Sequence, residues 1–339
     1  MDKDAQRGGV GEATGIVVSG TRPTGALHLG HLNGALKNWV ELQKTARCFF
    51  FVADWHALTT DYAEPGGIAQ STREMILDWL AVGLDPELSV LFRQSQVPEH
   101  AELHLLFSMI IPVPWLERVP SYKEQQEQLE GRDLSTYGFL GYPLLQSADI
   151  LLYKAGRVPV GEDQLPHVEL TREVARRFNR FYGPVFPEPA GLVVEAARVP
   201  GTDGRKMSKS YGNAVALTDD TDTVYSKLVR MVTDPRRQRR TDPGDPKDCP
   251  AFQLHEIYCT EQERAEVSRG CRSASIGCVD CKKVMIRRVQ DELEPIQQRR
   301  RALMVRPGIV DEVLAEGRRR AAAVAETTMG EVRAAMGLA

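Results

Sequence analysis

The sequence predicts an α/β fold: a Rossmann-like nucleotide-binding domain with a parallel sheet, followed by an all-helical C-terminal domain. Three observations predict it. Short β-branched or aromatic runs alternate with helical patterns over the first ~210 residues. The first such run passes through a Pro- and Gly-bearing turn straight into a helix. After Asn213 the strand signals stop, and the pattern is helical and rich in Arg, Glu and Ala.

Gly15 to Gly20 (GIVVSG) reads as a short buried strand. Thr21-Arg22-Pro23-Thr24-Gly25 is the turn, and Leu27, Leu32, Leu36 and Trp39 mark one face of the helix that follows. Cys48 to Asp54 (CFFFVAD) is a second strand-like run ending in a polar residue, and Glu87 to Phe92 a third. Helical patterns lie around Ile68 to Val82 and Glu102 to Ile111. Leu170, Val174 and Phe178 share another helical face, which Gly183-Pro184 terminates. Ile309 to Glu316 and Arg318 to Met336 read as two charged amphipathic segments. No strong internal repeat is present. The expected division is a disordered tail over 1–15, a catalytic domain over 16–213 and a helical domain over 214–339.

With 339 residues, 42% hydrophobic and 26% charged, the chain has the composition of a soluble globular protein. A net charge of −3 excludes a polycation, so any nucleic-acid contact must come from local basic patches. No stretch approaches the ~18 apolar residues of a membrane span. The polar, Gly-rich start lacks the apolar core of a signal peptide. The expectation is a cytoplasmic protein with neither a membrane nor DNA as partner, whose cysteines stay reduced unless they bind metal or do chemistry.

Two motifs carry the chemistry. His28-Leu29-Gly30-His31 sits at the start of a helix, with the histidines three apart on one face. Gly30 lets a flat group approach the backbone, and the free N–H groups of a helix start suit phosphate. Lys206-Met207-Ser208-Lys209-Ser210 follows the flexible Gly201-Thr-Asp-Gly204-Arg stretch. Lysines on such a loop can close over a polyphosphate and neutralise charge as it builds. Alone, the first motif reads equally as two surface histidines and the second as a solvated lysine loop. Together, in this order and about 175 residues apart, they make coincidence untenable.

The pair resembles the HIGH and KMSKS motifs of class I aminoacyl-tRNA synthetases, from about Ile16 to the C-terminus. The resemblance implies activation of an amino acid with MgATP and transfer to the terminal adenosine of a tRNA, with no covalent enzyme intermediate. It implies that His28, His31, Lys206 and Lys209 stabilise the α-phosphate transition state and the leaving pyrophosphate, and that Lys123 reaches the phosphates. It assigns ATP to Arg22, Pro23, Thr24, Gly30, His31, Gly161, Glu162, Asp163 and Val199, and to Lys206, Met207, Ser208, Lys209 and Ser210. It also implies a homodimer, formed through the segment inserted between the catalytic halves.

Four stretches are similar to tryptophanyl-tRNA synthetases rather than their tyrosyl relatives: Ala53 to Thr59 (ADWHALT), Tyr142 to Tyr153 (YPLLQSADILLY), Pro159 to Gln164 (PVGEDQ) and Gly201 to Asn213 (GTDGRKMSKSYGN). Asp149 lies within an apolar helical run, where a carboxylate is costly unless hydrogen-bonded. The indole N–H of tryptophan is a donor only, and such a carboxylate is a suitable acceptor. A site built that way would leave Asp149 unpaired when phenylalanine enters. By resemblance, Tyr142 and Gln164 hold the amino acid's polar head, with His56 nearby. Two positions depart from the family pattern. Arg22 stands where many relatives have Gln, and Gln146 where a Met usually lines the indole pocket. The implied partners are therefore ATP, L-tryptophan and tRNA(Trp).

Six cysteines are present. Cys48 reads as a small buried hydrophobe in a strand. Cys249, Cys271, Cys278 and Cys281 form an irregular set with one CxxC pair. A zinc site made of four cysteines usually joins two such pairs, so the spacing tilts towards an iron–sulfur cubane. Zinc or free thiols remain as alternatives, and Cys259 falls outside the pattern. The set resembles that of a subset of tryptophanyl-tRNA synthetases that bind [4Fe–4S] near the anticodon. Arg236, Arg237, Arg239 and Arg240 precede it, and Lys282-Lys283, Arg287-Arg288 and Arg299-Arg300-Arg301 follow. This is a local positive excess expected to meet the tRNA backbone; its alternative is a solvated helical face. Three other functions fit less of the sequence: a tyrosyl or other class I synthetase, a small nucleotidyltransferase with the same HxGH motif, and a non-catalytic sensor of tryptophan or RNA.

Overall fold

The computed structural model describes residues 15–120, 122, 133–193 and 199–339. The expected N-terminal tail and Lys123 lie outside the described residues. Among the described residues, five strands form one parallel sheet: β1 (Ile16–Thr21), β2 (Arg47–Val52), β3 (Ser89–Arg93), β4 (Arg157–Val160) and β5 (Ala190–Val193). Their order is β3-β2-β1-β4-β5, so connections run outward in both directions from β1. The three strands legible in the sequence are the apolar ones, 3–2–1. Arg157–Val160 and Ala190–Val193 have four residues each and no sustained apolar run, which hid them.

The helices follow in chain order. They are α1 (Leu29–His31), continued by a π-turn over Leu32–Leu36, then α2 (Lys37–Leu42), α3 (Asp54–Asp61), α4 (Ile68–Val82), α5 (Glu99–Ser108), α6 (Val113–Glu117), α7 (Tyr137–Leu151) and α8 (Leu165–Tyr182). Beyond Asn213 come α9 (Thr221–Val229), α10 (Pro250–Tyr258), α11 (Glu261–Arg272), α12 (Cys278–Met304) and α13 (Ile309–Ala335). Among the described residues, no helix is long and apolar enough to cross a membrane.

Alternation along the strands divides the core between the two sheet faces. Val17, Cys48, Phe50 and Leu91 face a core shared with α1, α2, α4 and residues of α9, α10 and α12. Val18, Phe49, Phe51 and Phe92 face one shared with α5, α7 and α8. The C-terminal helices therefore pack directly on the catalytic sheet. Buried Asp78 of α4 accepts from Arg300 Nε of α12 at 2.7 Å, and Glu74 pairs with the same guanidinium.

The last segment, read in sequence as two amphipathic stretches, is one continuous helix. In α13, Val310, Val313 and Leu314 belong to the first core, whereas Ala321, Ala325, Met329 and Val332 belong to the second. The helix crosses edge strand β3 between them, at Gly317. A Cβ there would overlap the Leu91 carbonyl, so glycine marks a close crossing rather than a break. The helix thereby covers an edge strand that would otherwise be open to pairing.

Candidate active site

A cavity of about 540 Å3 opens at the C-terminal ends of the central strands. This is where the strand order reverses between β1 and β4, the usual ligand crevice of an open α/β sheet. Its wall takes Arg22 and His31 from the first crossover, His56 from α3, Tyr142, Gln146 and Asp149 from α7, and Gly161 and Gln164 from beyond β4. Residues proposed from sequence for two different ligands thus line one cavity. The π-turn contributes Gly34 and Ala35 to the wall. Gly20 lies beneath it, where a Cβ would stand 2.5 Å from the Phe51 ring.

The two histidines are organised by the chain start of α1. His28 is the N-cap; its Nδ1 accepts from Gly30 N–H at 3.1 Å. The His28 N–H donates to His31 Nδ1 at 3.2 Å. Both Nδ1 atoms accept, so each neutral ring carries its proton on Nε2. Burial lowers the pKa of His28 to about 4. Burial, followed by the charges of His28 and Lys206, lowers that of His31 to about 3. Near neutral pH both rings are uncharged hydrogen-bond donors.

The lysine loop is stapled to this turn. Leu29 N–H donates to Val215 O at 3.0 Å, and Leu217 N–H to Leu27 O at 2.9 Å. Asn213, buried, shapes the loop: its Oδ1 accepts from Ser208 N–H at 2.8 Å, and its amide donates to Asp203 Oδ1 at 2.7 Å and Lys206 O at 3.2 Å. Met207 is buried near Gly30 and donates its N–H to Val199 O at 3.1 Å. Lys209 sends its Nζ over Gly25, the turn glycine with φ +111°. Lys206 is exposed, and Ser210 lies in the short 3-10 turn Lys209–Tyr211.

Pro23 is buried, with Arg22 and Thr24 exposed beside it and Thr24 N–H bonded to Arg22 O at 2.9 Å. Glu162 and Asp163 are exposed between the cavity residues Gly161 and Gln164 and do not line the cavity themselves; Gln164 Nε2 donates to Asp163 Oδ2 at 3.1 Å.

Asp149 is buried in the cavity floor. Its Oδ1 contacts Gln94 Nε2 and His100 Nδ1, each at 2.7 Å, and its Oδ2 contacts His56 Nε2 at 2.7 Å. Burial alone would raise its pKa. Hydrogen bonds from His100 and His56, and the charges of those rings, outweigh it and hold the carboxyl well below the usual range. The expectation that an ill-fitting substrate leaves this carboxylate unpaired is corrected here, because three protein donors stay in place. A carboxylate has about four acceptor sites, so about one remains for a ligand. Sequence reasoning missed Gln94 and His100. The available signal was position: Gln94 directly follows β3, at the strand end that open α/β sheets use for function.

The sequence profile of the tRNA synthetases class I (W and Y) matches residues 12–294. The chain belongs to this family. The tryptophan–tRNA ligase of Thermotoga maritima is 54% identical over 324 residues, covering 95% of this chain and 99% of its own. That of Ralstonia nicotianae is 48% identical over 392 residues, covering 95% and 98%. The crystal structure of tryptophanyl-tRNA synthetase from Campylobacter jejuni, complexed with ADP and tryptophan, superposes with a TM-score of 0.85. It is 32% identical and covers 95% of this chain and all 100% of its own.

In this synthetase the other cysteines lie far from the cavity in sequence. Cys249, Cys259 and Cys271 are buried, and Cys278 and Cys281 half-buried at the start of α12. Burial, then the charges of Cys249, Cys271 and Cys278, pushes the Cys281 thiol up to about 12, so these four sulfurs feel one another. Arg237 Nη1 lies 3.8 Å from Cys271 Sγ. Cys259 is set apart by His255, which contacts its Sγ at 3.3 Å and Cys281 Sγ at 3.4 Å. Among the described residues, no three Cys, His, Asp or Glu side chains are gathered for a single metal ion.

The basic segments divide. Arg236 pairs with Asp234 at 2.9 Å and Asp248 at 2.6 Å, and Arg237 donates inward to Ile276 O at 2.9 Å. Arg239 and Arg240 are exposed, with no side-chain hydrogen bond or ion pair among the described residues. Lys282 is buried against the Met231 carbonyl at 3.0 Å, Arg288 pairs with Glu263 at 2.6 Å, and Arg299 donates to Ala81 O at 2.6 Å. With Arg300 held by Asp78, several cations read from sequence as an RNA surface instead join elements of the fold.

Proposed function

We infer that this chain is a tryptophan–tRNA ligase. It joins L-tryptophan to ATP as tryptophanyl-adenylate, releasing pyrophosphate, and then transfers tryptophan to tRNA(Trp). The observation that carries the amino-acid choice is Asp149: an ionised, buried acceptor in the floor of the cavity that also holds His31. In the first step the tryptophan carboxylate attacks the α-phosphorus of MgATP and the bond to pyrophosphate breaks. His28 and His31 offer Nε2–H donors to phosphate oxygens without a proton changing hands. Lys206 and Lys209 offset charge on the leaving group, and Arg22, Pro23, Thr24, Gly161, Glu162, Asp163 and Val199 frame the nucleotide. Lys123 belongs with the phosphate ligands by resemblance alone. Tyr142 and Gln164 receive the amino acid's polar head, and His56, Gln146 and Asp149 its indole. In the second step the tRNA's terminal hydroxyl displaces AMP from the adenylate. Arg239 and Arg240, exposed and without a side-chain partner among the described residues, are offered to the tRNA backbone.

The test is ATP–pyrophosphate exchange with each of the twenty amino acids, followed by charging of tRNA. Exchange driven by tryptophan alone is expected. Comparable exchange with tyrosine overturns the reading.

We further propose that Cys249, Cys271, Cys278 and Cys281 hold a [4Fe–4S] cluster. The spacing supports this reading: a single CxxC pair with two outlying cysteines is unlike the two paired knuckles of a four-cysteine zinc site and suits a cubane. Arg237 and Lys282 would offset the thiolate charge. The cluster would cross-link the α10 start to α11 and α12, outside the reaction. Protein purified without oxygen should be brown, absorbing near about 400 nm; a colourless protein with one zinc per chain overturns this. A homodimer in the cytoplasm, with catalytic and tRNA-binding domains meeting near Asn213, completes the proposal.

A further inference from the structure

We propose that Gln94, His100 and Tyr153 are positioning residues that set the synthetase's selectivity for an indole N–H, by holding Asp149 in a single orientation with one lone pair left for the substrate. This rests on the reading that Asp149 receives the indole.

The geometry is a buried polar chain. His100 Nδ1 meets Asp149 Oδ1 at 2.7 Å, and His100 Nε2 meets the Tyr153 hydroxyl at 2.8 Å. Gln94, His100 and Tyr153 are each 0% exposed. They come from three places, the end of β3, α5 and the turn after α7, so they do not meet through local sequence. The direction of the Asp149 bond follows from chemistry. An ionised Asp149 can only accept, so His100 donates from Nδ1. Its Nε2 lies within hydrogen-bond distance of the Tyr153 hydroxyl, which ties the far side of the ring to the turn after α7. Phe51, Phe92 and Tyr153 pack around the His100 ring at centroid separations of 5.8, 6.0 and 5.4 Å.

Two features argue that the chain serves selectivity rather than stability. Well-packed apolar residues in place of a buried charged network are often neutral or stabilising. Moreover, Gln94 Oε1 is buried without a hydrogen-bond partner among the described residues. Leaving it so is costly. The opposite amide orientation would aim that oxygen at the Asp149 carboxylate. The observed one keeps Nε2 on Oδ1 and leaves the carbonyl unsatisfied. With Oδ1 held by two donors on the protein side, Oδ2 is the atom shared between His56 and the cavity.

The experiment compares tryptophan with its benzothiophene isostere, in which sulfur replaces the N–H, by ATP–pyrophosphate exchange. Wild type should prefer tryptophan at least about 100-fold in kcat/KM. His100→Leu should shrink that preference by about 30-fold or more. The change should fall on the tryptophan KM, with the isostere altered less than about 3-fold and the ATP KM unchanged. His100→Asn, whose amide reproduces the Nδ1 donor, should restore most of it. Tyr153→Phe and Gln94→Met, milder in volume, serve if His100→Leu fails to fold, and each should shrink the preference in the same sense. Equal losses for both substrates, or an undiminished preference, overturn the positioning role. A wild-type enzyme that does not discriminate between the two overturns instead the assignment of Asp149 to the indole, and the proposal with it.

Discussion

Lys209 and Gly25 occupy one space: the lysine's Nζ lies where a side chain at residue 25 would begin. Gly25 closes the turn that leads into the first motif, and Lys209 belongs to the second. Their contact, with the Leu29–Val215 hydrogen bond at 3.0 Å, makes the motifs one unit. Lys209→Ala should slow tryptophan-dependent pyrophosphate exchange by about 100-fold or more, with little change in tryptophan binding. Gly25→Ala should give a similar loss, since it both strains a φ of +111° and displaces the ammonium. Unchanged exchange in Lys209→Ala would refute its role.

The neutral histidines make a statement about pH. Their folded pKa values, about 4 and about 3, lie below the unfolded value of 6.5. Stability from these groups is therefore fully present above pH 6.5 and is lost as pH falls towards those folded values. Acidification should lower the unfolding midpoint less in His31→Gln than in wild type. Exchange rates should show no ionisation of either ring between about pH 6 and 8. A limb in that window that disappears in His31→Gln contradicts the assignment.

Gly317 holds α13 against β3. Gly317→Ala should destabilise the fold by about 1–3 kcal/mol, because the new methyl meets backbone that cannot rotate away. Urea unfolding measures this. A variant as stable as wild type would show that the helix crosses the strand at a greater distance.

The free arginines separate RNA binding from the fold. Arg239→Glu with Arg240→Glu should weaken tRNA binding and reduce its salt dependence, with tryptophan activation intact. Arg300→Glu should instead lower the unfolding midpoint, because it places a third acid beside Asp78 and Glu74. If tRNA affinity and salt slope are the same after the double reversal, these arginines do not touch the tRNA.

The amino-acid sequence by itself determined the reaction motifs, strands β1 to β3 and most helices, because periodicity and short contiguous motifs are local properties. Helix Ile68–Val82 matches its apolar pattern end to end. It also pointed to Asp149, a carboxylate out of place in an apolar run. Only the tertiary structure decided what Asp149 touches, since Gln94, His100 and His56 lie 55, 49 and 93 residues from it. The same holds for the arginines. A charge run looks alike in sequence whether it meets solvent, a buried acid or a helix carbonyl. Gly317 is the plainest case: in sequence it only separates two amphipathic stretches, and the approach of Leu91, from a strand far earlier in the chain, makes it the point where a continuous helix passes over the sheet.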